Sequence, residues 1–109
     1  IHPHLELIVL GEKVPLAPNI GLGLAKCERA LHTHDATGEI HIEPNYYQEF
    51  KLSQLFGLWE KPFSKNQILD HRADTEHEIV FTVDGAPNGD YENLILRDKQ
   101  QIVIEYRRK

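Results

Sequence analysis

An α+β architecture, with a mainly antiparallel sheet and one short helix, is what this sequence predicts. Apolar and polar residues alternate over 2–10 and again over 39–43, the pattern of half-buried strands. A single stretch, 52–59, switches to helical spacing. The order that results is two or three strands, a helix, then two or three strands, with no repeat and no linker, as expected of one domain over 1–109.

The elements follow in chain order. Leu5, Leu7 and Val9 fall on one face of the first strand, and His4, Glu6 and Ile8 on the other, with His2 extending the second set. Gly11, Glu12 and Lys13 form a short turn. Val14, Pro15 and Leu16 begin a second strand, which the proline confines to a sheet edge or an irregular segment. Residues 17–30 read as a loop marked by Pro18, Asn19, Gly21 and Gly23, with Ile20, Leu22 and Leu24 packing part of it down. In 39–43, Ile40 and Ile42 point one way while Glu39, His41 and Glu43 point the other. Asp35, Ala36, Thr37 and Gly38 have the turn chemistry that joins this strand to 30–34 as a hairpin. Leu52, Leu55, Phe56 and Trp59 make the core-facing stripe of an amphipathic helix, capped at Lys51 or Ser53 and stopped by Pro62. Residues 79–83 form a strand leading into the turns at Asp84-Gly85 and Asn88-Gly89, and 94–96 and 102–106 are the last strands, split by a polar turn over 97–101. A β-grasp-like sheet holding one helix fits this order best, and a small β-barrel or sandwich is the alternative.

Composition narrows the function classes. With 40% hydrophobic and 27% charged residues, the 109-residue chain is ordinary for a globular protein that buries a core without disulfides. A net charge of -5 argues against nucleic acid as a partner. The one basic run, Arg107-Arg108-Lys109, reads as a solvated tail. No apolar run approaches the roughly 20 residues of a membrane span, so no membrane insertion of this chain is expected. The single cysteine, Cys27, excludes an intrachain disulfide. A start at Ile1 in place of Met is what a chain trimmed of a leader would have.

The chemistry-bearing residues concentrate in 31–43, where thirteen residues hold His32, His34, His41, Asp35, Glu39 and Glu43. Imidazole, carboxylate and thiolate are the side chains that bind transition metals. If 31–34 is extended, His32 and His34 share a face, as do His41 and Glu43 on the partner strand. Cross-strand Cβ atoms lie about 4.5–5.5 Å apart, so donors from both strands can converge on one ion. His32, His34 and His41 are the expected ligands of a zinc or copper ion, with Cys27 or Glu43 completing the set and His2 and His4 as outer candidates. Each has a bland counterpart: solvated strand histidines, a fraying terminus, a buried small cysteine, and turn-capping roles for Asp35 and Thr37. His71 and His77, set among charged residues, are expected at the surface.

Several reactions fail on the residues. His32 and His34 match the first half of an amidohydrolase metal pair, but that barrel needs about 250 residues. The pattern His-x-His-x-Asp-His breaks at Ala36 and Thr37. Cys27 with His32 or His34 would make a nucleophile pair, without an identifiable oxyanion hole. Gly21 and Gly23 lack the third glycine and the flanking strand and helix of a phosphate loop.

Two resemblances arise at these residues. His32, His34 and Glu39 resemble the cupin metal motif in spacing, although Lys26 and Tyr46 stand at that motif's glycine positions and Glu92 where its last histidine would follow Pro87-Asn88-Gly89. More of the chain resembles a family of uncharacterised bacterial and archaeal domains. The residues that carry this likeness are the early His-x-His, 18–21, Cys27, the run His32-Thr33-His34-Asp35-Ala36-Thr37-Gly38, then 40–43 and 55–59. Such domains follow a signal peptide or membrane anchor and have no established activity, so the resemblance implies an extracytoplasmic location and no reaction. The expectation is a transition-metal-binding domain. The alternatives are a structural or protein-interaction domain with a polar histidine network, and a small cupin-like metal-dependent enzyme.

Overall fold

The computed structural model describes residues 2–18, 20, 31–33, 36–42 and 49–109. In chain order the elements are β1 (His4–Val9), β2 (Glu12–Val14), β3 (Leu31–His32), β4 (His41–Ile42), α1 (Leu52–Trp59), β5 (Phe63–Ser64), β6 (Gln67–Ile68), β7 (His71–Arg72), β8 (His77–Val83), β9 (Ala86–Pro87), a 3₁₀ turn at Tyr91–Asn93, and β10 (Gln101–Arg108). The described chain is thus mostly sheet with one short helix.

The main sheet runs β2-β1-β10-β8-β9. Leu5 and Leu7 of β1, Ile102, Ile104 and Tyr106 of β10, and Ile79 and Phe81 of β8 are buried, each strand hiding alternate residues. Register aligns these rows, with Leu5 opposite Ile102 opposite Val83, and Leu7 opposite Ile104 opposite Phe81. β1 and β10 pair in parallel, which no local pattern signals, whereas the other described strand pairs are antiparallel. The described strands close no barrel, because β2 and β9 end the sheet.

The turn after β1 is tighter than the sequence suggests. Leu10 and Gly11 both have positive φ, 49° and 85°, as a two-residue type I′ hairpin requires. Glu12 and Lys13 therefore belong to β2 and pair with Val9 and Ile8, so the strand runs 12–14 and does not start at Val14. Asp84 and Gly85 repeat that geometry between β8 and β9, with φ of 54° and 82°.

α1 forms where its apolar stripe predicts, burying Leu52, Leu55 and Phe56. Lys51 is the capping residue, its N–H donating to Gln54 Oε1 at 2.7 Å, while Ser53 lies inside the helix. At the other end Glu60 takes a left-handed φ of 61° and its N–H returns to Gly57 O at 3.2 Å, so the chain turns before Pro62. Residues 94–96 form no strand. Held between the 3₁₀ turn and the 97–100 turn, they pair with the chain entering α1 through Leu52 N–H to Leu94 O and Leu96 N–H to Phe50 O, both 2.8 Å, which buries Leu94 and Leu96.

Two further expectations are corrected. His71 and His77 are half-buried, and their rings lie 5.1 and 5.2 Å from that of Tyr106. The parity of β8 puts His77 on the face of Ile79 and Phe81, and the small β5-β6-β7 sheet covers that end, with Tyr106 Oη donating to Arg72 O at 2.9 Å. Arg107 and Arg108 are not a tail but the end of β10, where Arg107 Nε meets Glu78 Oε2 at 3.0 Å.

Two predictions follow from this frame. Leu55, fully buried under the helix, should cost about 2–5 kcal/mol when changed to alanine, read from urea unfolding. Asp74 Oδ1 lies 2.9 Å from His77 Nδ1 and accepts the N–H groups of Glu76 and His77, and the His77 ring contact foremost holds the carboxyl below its ordinary value of 3.8. Because the folded carboxyl titrates lower than the unfolded one, its stabilisation is complete above about pH 4 and is lost as pH falls through the depressed value. The difference in urea midpoint between pH 5 and pH 3 should therefore shrink in Asp74→Asn.

Candidate metal centre

The site begins with a glycine. Gly38 has φ of 96°, and a Cβ there would run into the carbonyl oxygen of Leu5 and lie 3.1 Å from His4 Nε2. Free of that obstacle, the end of the 36–40 segment lies directly on the start of β1. Leu5 N–H donates to Gly38 O at 2.8 Å, Ile40 N–H donates to Pro3 O at 2.9 Å, and His4 and Glu39 form an antiparallel bridge. Ile40, fully buried, anchors the segment. By strand alternation its neighbours Glu39 and His41 point to the other side, toward His2.

His2, Glu39 and His41 thereby offer three ligand atoms that all lie within 4.8 Å of one another. His41 Nε2 and Glu39 Oε1 are 3.2 Å apart, close to the roughly 3.3 Å between donors that a tetrahedral zinc ion imposes from about 2.0–2.2 Å bonds. The His2 ring stands edge-on to that of His41, centroids 4.9 Å apart at 86°. His2 is exposed, Glu39 is exposed and His41 is half-buried, so the group opens to solvent. Two imidazoles and one carboxylate suit zinc or copper(II), and the same donor count occurs in catalytic zinc sites.

Behind His41 sits His32, opposite it in the β3–β4 register, with ring planes 9° from parallel and centroids 5.4 Å apart. His32 is 1% exposed. Its neighbour Thr33 fixes it in place: Oγ1 donates to Ala17 O at 2.7 Å and accepts from Ile20 N–H at 3.0 Å, and Thr33 N–H donates to Ile20 O at 2.9 Å. Among the described residues no buried side-chain nitrogen or oxygen lacks a hydrogen-bond partner.

The expected site residues are distributed as follows. His41 and His2 join the converging group. His32 stacks on His41 and is not one of the three convergent donors. His4 turns its Nε2 to Thr37 O at 2.9 Å and is likewise outside the group. His34, Cys27, Glu43 and the hairpin residue Asp35 lie outside the described residues. Glu39 was legible as sharing a strand face with His41, yet its placement beside His2 depends on a long-range pairing with β1 that strand alternation cannot reveal. The chain matches no protein-family model, no curated protein and no solved structure. Among the described residues no helix is long and apolar enough to cross a membrane.

Gly38→Ala should destabilise the fold by about 1–3 kcal/mol, because the residue must hold a left-handed φ against a neighbouring carbonyl. Gly57, in α1 with open space around its Cα, is the internal control. Gly57→Ala should stabilise by about 0.5–1 kcal/mol, and thermal melts of the two variants should move in opposite directions.

Proposed function

We propose that this chain is a transition-metal-binding domain in which His2, Glu39 and His41 hold one zinc or copper ion. The observation that carries the reading is their convergence within 4.8 Å from two segments brought together at the Gly38 crossing. Both histidines belong to the set expected from the sequence, and Glu39 supplies a hard donor where that reading looked to Cys27 or Glu43. A site with three protein donors open to solvent leaves at least one coordination position for water or a further ligand. The main-sheet order, with first and last strands parallel at its centre, supports a β-grasp-like classification. The likeness of the motif around His32–Gly38 to domains found behind a signal peptide or anchor supports an extracytoplasmic location.

A second reading has its own observation. His32, buried and stacked on His41, would serve equally well in a structural or protein-interaction domain whose histidines form a hydrogen-bonded network. Metal analysis and titration separate the two. The metal reading predicts about one equivalent of zinc or copper bound by the chain purified without chelator, and loss of that binding with retained fold in His2→Ala/His41→Ala. Retention of metal by that double variant, or absence of binding at micromolar zinc and copper, would contradict it. A melting temperature that falls in His32→Ala by the same amount with and without metal would favour the network.

A further inference from the structure

β10 begins at Gln101, and its register sets His4 opposite Gln101. Toward the N-terminus the backbone ladder has one more rung, His4 N–H to Gln100 O at 2.8 Å, after which the 97–100 turn carries the backbone away. Among the described residues His2 has no main-chain hydrogen-bond partner on that side. The turn supplies a side chain instead: Asp98 Oδ1 accepts the His2 backbone N–H at 2.8 Å. This turn is rigidly built. Lys99 adopts a φ of 63°, and Gln100, 8% exposed, accepts Arg97 N–H on its Oε1 at 2.7 Å and donates its Nε2 to Ile95 O at 3.2 Å.

We propose that Asp98 is the positioning residue of the metal centre, holding the backbone of His2 so that its imidazole stays against His41. This rests on the metal-binding reading above. His2 is exposed and lies beyond the last rung of β1, so without such a restraint ordering its backbone would have to be met from the free energy of metal binding. A donor already in place removes that cost, which is the general effect of residues that orient metal ligands. Asp98 is not itself among the converging donors.

The test uses Asp98→Ala and Asp98→Asn in the full 109-residue chain, with zinc affinity measured by chelator competition and with nuclear Overhauser contacts between the His2 and His41 rings recorded on metal-free protein. Asp98→Ala should weaken zinc binding by about 10- to 100-fold. Asp98→Asn, whose amide oxygen still accepts the His2 N–H, should bind within about threefold of the parent. In a His2→Ala background Asp98→Ala should change the affinity by no more than about twofold, since it acts through His2. The ring-to-ring contact should persist in the parent and in Asp98→Asn and vanish in Asp98→Ala. Equal zinc affinity in Asp98→Ala and parent would overturn the proposal, as would an equal loss with and without His2. A persisting ring contact in Asp98→Ala would overturn it as well. A parent that binds no zinc or copper would instead refute the metal reading, and the metal-free ring contact would still decide whether Asp98 positions His2.

Discussion

The closeness of Gly38 to Leu5 is the constraint on which the rest depends. A left-handed backbone with no side chain lets the 36–40 segment reach β1 and exchange hydrogen bonds with Pro3 and Leu5, and the buried Ile40 secures the contact from the other side. Any other residue would force the two backbones apart. The buried side of this crossing belongs to the common core with Leu5 and Ile102, and the outward side carries Glu39 and His41. Fold and candidate site are therefore two faces of one backbone contact.

The chemistry of the outward face comes from donors with unequal restraint. His41 is half-buried, backed by the stacked and fully enclosed His32, and already within 3.2 Å of Glu39. Those two donors are preorganised by β-pairing. His2 joins from beyond the end of β1, where Asp98 of the 97–100 turn accepts its backbone N–H. A metal ion bound here would tie the N-terminal segment to the 36–42 segment, linking parts of the chain far apart in sequence, and metals that close long loops in this way add stability to the folded state.

Much of the frame was legible in the sequence, and the parts that were not share a cause. Strand alternation located Leu5 and Leu7 as core and His4 and Glu6 as the opposite face, and the spacing of Leu52, Leu55, Phe56 and Trp59 located α1 to the residue. β5, β6 and β7 are two-residue strands, too short to show any period, and were invisible for that reason. The parallel pairing of β1 with β10 joins the two ends of the chain, and no local pattern encodes it. His71 and His77 misled because their neighbours are charged, whereas the strand parity of β8 places His77 beneath Tyr106. In the site, His41 and His2 were named from their type and spacing, but their meeting with Glu39, and the support of His2 by Asp98, depend on pairings between distant segments.

X-ray absorption spectroscopy of the zinc-loaded chain tests the central claim most directly, because it counts the donors by type. A centre built from His2, Glu39 and His41 predicts two imidazole shells and oxygen ligands at about 2.0–2.2 Å, with no sulfur. A sulfur scatterer at about 2.3 Å, as Cys27 would give, or three or more imidazoles, as His32, His34 and His41 would give, would contradict it.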